Sequence, residues 1–145
     1  MDALLGYLPD YLVWANDLTL QAVRENETPE LARIMAHILG CERVWANRIL
    51  GQPADAVPWP DWDLKECERQ IPQNAALYRT IVDRVDASQG VHFTMRGEAF
   101  TKDAGTLVLQ VFTHGAYHRG QIAQDVRHNG GDIADTDYFL FKVNR

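Results

Sequence analysis

The chain has 145 residues, 46% hydrophobic and 23% charged, which is enough apolar material for one globular domain spanning 1–145 and too much for a disordered chain. Twenty acidic residues against 14 basic ones leave a formal net charge of -6, opposite to the basic balance of a nucleic-acid binder. No apolar run reaches the ~18 residues of a membrane span, the Met1-Asp2-Ala3-Leu4-Leu5-Gly6 start has no basic leader region, and two cysteines are too few for a disulfide framework, so a cytoplasmic protein is expected.

In chain order, Leu4, Leu8, Leu12 (or Tyr11), Ala15, Leu18 and Ala22 recur every three or four residues and predict an amphipathic helix to about Asn26. Pro9 interrupts its first turns, so the regular helix is expected to start there, with Leu8 biased out of the helical region. Thr28-Pro29-Glu30 reads as an N-cap, an N1 proline and an early acid for a second helix. Its stripe is Leu31, Ile34, Ile38, Cys41, Trp45 and Ile49, with Gly51 as the stop and His37 beside the stripe on the side of Ile34, Cys41 and Val44. Residues 52–62, with three prolines and two tryptophans, predict an extended linker that packs its indoles onto the helices.

Asp63 and Glu66 form a candidate capping box for a third helix, whose stripe runs Leu64, Cys67, Ile71, Asn74, Tyr78, Ile81 and Val85 and which Pro72 should bend. Asn74 in that stripe is either a buried polar group with a partner or a residue facing the same cavity as the histidines. After Gly90 the hydrophobic period falls towards two, and Arg96-Gly97-Glu98 between Val91–Met95 and Ala99–Thr101 predicts a short β-hairpin. Asp103 is placed to cap a fourth helix with Leu107, Val111, His114, His118, Ile122 (or Gln121) and Asp125 facing inward, ended by Gly130-Gly131. The tail from Asp135 to Phe141 is apolar enough to dock on the bundle or on a partner subunit. The fold expected is all-α: an up-down four-helix bundle with a short β-hairpin before the last helix.

The chemistry centres on Phe112–Ile122. His114 and His118 lie at i and i+4, one turn apart on the same helical face, roughly 5–6 Å between Cβ atoms, so both imidazoles can reach one divalent metal. A third ligand should come from another helix and point inward, and of the remaining histidines only His37 meets both conditions. His92 falls in the hairpin, and His128 falls in the last helical turn as a surface cation near the dipole's negative end. Three histidines leave a coordination position open, the pattern of a catalytic site. The plainer reading makes the histidines core hydrogen-bonders. Cys41, one turn from His37, is either a soft ligand or a small buried hydrophobe. Gln121 and Asp125 either support the imidazole N–H groups or cap the core's polar end. Trp14, Trp45, Trp59 and Trp62 read mostly as packing, with one of them a candidate wall of a substrate pocket. Arg119, about 100° round the helix from His118, reads as an inter-helix ion-pair partner, and Asp17 and Glu42 are weak candidates for a general base.

Three segments carry a family resemblance: Tyr11-Leu12-Val13-Trp14-Ala15-Asn16-Asp17, Ala36-His37-Ile38-Leu39-Gly40-Cys41-Glu42-Arg43-Val44-Trp45 and Phe112-Thr113-His114-Gly115-Ala116-Tyr117-His118-Arg119-Gly120-Gln121-Ile122. Together, in this order, they resemble the motifs of the DinB/YfiT-like metalloenzyme superfamily of four-helix bundles, and the likeness covers nearly the whole chain. The resemblance implies a divalent metal, zinc or nickel, held by His37, His114 and His118. It also implies a homodimer and a thiol-dependent transferase or isomerase using a small-molecule thiol such as bacillithiol, mycothiol or glutathione. The function expected is transfer of a low-molecular-weight thiol to an electrophilic substrate in detoxification or stress response. The alternatives are a metal-dependent hydrolase, a non-catalytic metal-binding stress-response bundle, and a plain helical dimer.

Overall fold

The computed structural model describes Met1 and residues 5–141, so Leu4 of the predicted first stripe lies outside the described residues. Four helices follow in order: α1 (Leu8–Glu25), α2 (Pro29–Leu50), α3 (Leu64–Arg84) and α4 (Ala104–His128). A hairpin of β1 (Gly90–Met95) and β2 (Glu98–Asp103) precedes α4, and short 3-10 turns at Leu5–Tyr7 and Tyr138–Leu140 flank the bundle. The main helix contacts are α1 with α3, α3 with α2, and α2 with α4, while α1 meets α4 and α2 less extensively. The expected helical bundle with a hairpin before its last helix is the fold observed.

Local chemistry explains most of the boundaries. The 3-10 turn feeds directly into α1, which begins at Leu8 rather than at Pro9; proline at the second helical position gives up an N–H that has no helical partner anyway. Thr28 Oγ1 accepts from Leu31 N at 3.1 Å, Pro29 opens α2, and Gly51 closes it at φ 64, a left-handed conformation that glycine adopts without a Cβ penalty. Asp63 accepts from Glu66 N at 2.7 Å, but the Glu66 carboxylate turns to Arg69 and Gln70, so only half of the expected capping box forms. The hairpin turns at Arg96 and Gly97, φ 53 and 81, both left-handed as a two-residue turn with the twist of the strands requires.

Asp103 occupies the N-cap of α4 without a side-chain cap. The expected role passes to the backbone of the preceding loop: Ala104 N donates to Gln89 O and Gly105 N to Ala87 O, both at 2.9 Å. At the other end Gly130 takes φ 81 and Gly131 N returns to Val126 O. The tail docks on the bundle. Tyr11 donates to Thr136 O at 2.8 Å, and the Tyr138 and Phe141 rings pack against Tyr11, while Phe139 stays 90% exposed.

The core consists of two apolar clusters, one containing Leu8, Leu12, Ile49, Tyr78, Ile81 and Val108, the other Leu20, Val23, Ile34, Ile38, Leu39, Ile71 and Ile122. Burial of each large aliphatic chain contributes about 1.5–3 kcal/mol. Every helix places a buried, strongly polar side chain between the two clusters: Asn16 on α1 (with Thr19 beside it), Glu42 on α2, Asn74 on α3 and Arg119 on α4. Asn16 donates to Glu42 Oε1 at 2.7 Å and Asn74 to Glu42 Oε2 at 3.3 Å and Leu39 O at 2.9 Å, while Arg119 donates to Asn16 Oδ1 at 3.1 Å and to the Tyr11 hydroxyl at 3.3 Å. Tyr78 completes the layer by donating to Glu42 O at 2.7 Å. Burial pushes the Glu42 carboxyl up, while the Asn16 hydrogen bond and the Arg119 charge pull it back down. Asn74 is thus a buried polar group with partners. Arg119 makes no direct ion pair among the described residues; the Asn16 amide relays its charge to Glu42.

Candidate metal centre

The buried face of α4 runs through Leu107, Val108, Val111, Gly115, Arg119, Ile122 and Val126. His114 and His118 are not at its centre, as the spacing predicts, but half-buried at its edge, turned to the seam with α2. Gly115 makes room for the change. A Cβ there would stand 2.8 Å from Arg119 Nη1, so the glycine lets the guanidinium fold back into the core and leaves the histidines at the margin. His37 on α2 is 6% exposed and faces them, with ring centroids 5.0 Å from His114 and 4.6 Å from His118, and 4.5 Å between the latter two. One nitrogen of each imidazole lies within 4.8 Å of the others, an arrangement suited to a single ion.

Two hydrogen bonds fix which nitrogens face that point. His37 Nδ1 lies 2.6 Å from Pro58 O, and His118 Nδ1 lies 2.9 Å from Gln121 Oε1. Both oxygens can only accept, so each Nδ1 carries the proton and each Nε2 keeps its lone pair. Gln121, exposed on α4, therefore orients the His118 ring; Asp125 is half-buried further along the helix and makes no side-chain hydrogen bond among the described residues. Burial holds His37 below its ordinary pKa and, with the neighbouring His118 and His37, His114 at about 4. Neutral imidazoles with free lone pairs are the donor set a divalent ion takes.

The linker between α2 and α3 builds the outer wall. Asp55 accepts from Arg43 Nη2 at 2.7 Å and Asn47 Nδ2 at 2.6 Å, anchoring the loop to α2. Gly40 lets it lie flat, since a Cβ there would meet Pro60 Cδ at 2.6 Å and Val57 O at 2.7 Å. So seated, Trp59 stacks on His37 with centroids 3.6 Å and planes 9° apart, and the Arg33 guanidinium lies 4.3 Å from the indole. The sequence predicts indoles on helices but not this pairing, which depends on where the loop lands.

A cleft of about 940 Å³ opens on the three histidines, walled by Trp45, Trp59, Phe93, Met95 and Phe100 and by Arg48, Arg96 and Lys102. Cys41 lines it too, its Sγ 3.6 and 3.9 Å from the two His37 nitrogens, but burial pushes its thiol up to about 11 and it stands outside the three-histidine group. Glu42 is in the polar layer and Asp17 is exposed on α1, so neither candidate base reaches the cleft. His92 pairs with Thr101 at 2.8 Å in the hairpin, and His128 is exposed at the end of α4. Sequence reasoning missed the cations of the wall; Arg96 and Lys102 are signalled only by basic residues interleaved with aromatic ones in the hairpin, and Arg48 only by its place three residues after Trp45 on α2.

Fold and site define a helical bundle with a three-histidine candidate metal centre on the seam between its second and last helices. A family model described as the DinB family matches residues 8–144, and the chain belongs to that family. No curated protein and no solved structure matches it. No helix is long and apolar enough to cross a membrane among the described residues.

Proposed function

We propose that the chain is a metal-dependent enzyme that transfers a low-molecular-weight thiol to an electrophile, with His37, His114 and His118 holding a divalent ion, zinc or nickel. The observation that carries the metal reading is the convergence of three imidazoles, two of them tautomerically fixed, on one open cleft. A divalent ion in such a site supplies a Lewis-acidic position at which a bound thiol or water loses its proton near neutral pH.

The protein's own residues do the rest. Pro58 and Gln121 hold the two rings in the tautomer that presents Nε2, and Trp59 covers one face of His37 and restricts water there. The aromatic wall formed by Trp45, Phe93 and Phe100 suits an apolar electrophile. In the transfer the thiol's proton leaves to solvent, its sulfur lone pair forms the new carbon–sulfur bond, and the leaving group departs with the electron pair of the bond it breaks. Thiol transfer is preferred to hydrolysis on the strength of that apolar wall; the cleft carries no carboxylate to serve as a base towards either nucleophile.

Elemental analysis of protein purified without chelator, alongside His118→Ala, tests the metal. Absent stoichiometric metal in the wild type, or metal retained by the variant, overturns that part. Screening metal-loaded protein with several small thiols and an electrophilic dye tests the transfer. Flat rates with every thiol beside measurable ester or amide cleavage point instead to a hydrolase.

A further inference from the structure

We propose that the hairpin end of the cleft is an anion site, so that the molecule admitted to the histidines is a small organic anion with an apolar body. This rests on the reading of the cleft as the reaction chamber and names the charge of what it takes.

The chain has 20 acidic residues against 14 basic ones, yet the cleft wall carries Arg48, Arg96 and Lys102 and no aspartate or glutamate. That inversion is local. Arg48, Arg96 and Lys102 make no ion pair among the described residues, and neither do Lys65, Arg84, Arg119 and Arg127; what sets the three apart is that they share one cleft wall without an acid. Glu98, opposite Met95 at the hairpin tip, is the closest acid in sequence to Arg96 and lies outside the wall.

Arg48 is the most informative of the three. It is half-buried, with its guanidinium 4.6 Å from the Trp45 ring and 5.1 Å from that of Phe93, held by aromatic faces rather than by a carboxylate. A cation partly removed from water with no anionic partner is costly unless something else brings the charge. Lys102 lies two residues from Phe100 on β2, and so on the same side of the hairpin, and Arg96 sits at its turn. The arrangement puts apolar wall and positive charge within one volume of about 940 Å³, a small-molecule dimension. A carboxylate or phosphate meets the cations while its apolar body packs on Trp45, Phe93 and Phe100.

The test uses two neutral-versus-charged twins, 2-naphthylacetate and 2-naphthylacetamide, titrated into the full chain by calorimetry. The titrations are run on protein as purified and after chelator treatment, so that binding of the carboxylate by a metal is separated from binding by the wall. Because a desolvated charge pair is worth several times an exposed one, the carboxylate is expected to bind about tenfold tighter at low ionic strength. That preference should survive chelator treatment and shrink as salt is added. It should fall to near unity in Arg48→Gln/Arg96→Ser/Lys102→Gln and largely persist in Arg48→Lys. Arg96 and Lys102 are exposed, so Arg96→Ser/Lys102→Gln alone provides a folded variant whose preference must drop. Equal binding of the twins, no binding of the carboxylate, or an unchanged preference in the double and triple variants overturns the proposal. Metal content of the untreated samples reports separately: protein that carries no metal as purified and still prefers the carboxylate keeps this proposal and sinks the metal reading.

Discussion

The Trp59 indole lies flat on the imidazole of His37, one member of the three-histidine group, with 3.6 Å between centroids. Indole emission is therefore expected to report directly on anything bound there. Nickel or copper titrated into metal-free protein should quench a large part of the tryptophan fluorescence at one equivalent. Trp59→Leu should remove most of that quenching although Trp14, Trp45 and Trp62 remain, and quenching undiminished in the variant would contradict the placement.

Gln121 is expected to matter for affinity out of proportion to its exposure. Its Oε1 is the acceptor for His118 Nδ1, and loss of such an outer partner typically lowers metal affinity about 10–100-fold. Competition titration of Gln121→Ala against a chelating dye measures the change, with circular dichroism expected to stay that of the wild type. An affinity equal to wild type would show that the ring needs no orienting partner.

Arg43 and Asn47 hold the Asp55 carboxyl down at about 2. The folded value lies below the ~3.9 of an unfolded chain, so the contribution of this anchor is complete above about pH 4 and is lost as pH falls through about 2. Amide exchange or limited proteolysis across residues 52–62 should therefore show a seated loop down to about pH 4 and release in the more acidic window, where other carboxylates also titrate. Asp55→Asn should loosen the same segment at neutral pH, which separates this anchor from general acid unfolding.

Gly40→Ala places a Cβ where Pro60 and Val57 O now lie, at 2.6 and 2.7 Å. We expect a loss of about 1–3 kcal/mol in denaturant unfolding, the usual penalty of overpacking. A weaker metal site should accompany it, because the displaced loop carries Pro58 O and Trp59. Unchanged stability and affinity would mean that the loop shifts freely.

Arg119→Met leaves Glu42 buried without its compensating charge, a change that typically costs about 3–5 kcal/mol. Glu42→Gln keeps the shape but accepts from only one of Asn16 and Asn74, and should cost less when Arg119 is already Met than when it is present. Chemical denaturation of the two single variants and the double variant measures that coupling, and simple additivity would show the two charges to be independent.

The bundle and its caps were readable because period, proline and glycine act locally: Thr28, Gly51, Asp63 and the Arg96-Gly97 turn each determine a boundary within a few residues. His114 and His118 were readable because i, i+4 spacing is also local, and His37 because it is the one other histidine beside an inward helical stripe. Their orientation was not. The apolar stripe of α4 predicts His114 and His118 inside, whereas Gly115 and Arg119 hold that line, since a guanidinium with partners on Asn16 and Tyr11 can be buried. Those partners lie more than 100 residues away in the chain, at separations of 103 and 108, where no spacing rule reaches. Asp103 failed as a cap for a similar reason, because Gln89 and Ala87 had already brought in carbonyls that accept the same N–H groups.

The Asn16, Glu42, Asn74 and Arg119 side chains of the polar layer come from four different helices, and each bond among them runs from one helix to another. Sliding any helix along its neighbour by a single turn, about 5.4 Å, would take its residue out of reach of the others and leave charge stranded in the core. The layer thus works as an index mark. It sets α2 and α4 at one height, with His37 five positions before Glu42 and His118 one before Arg119. Whatever the three imidazoles bind, the aperture between them is gauged by residues that never touch it.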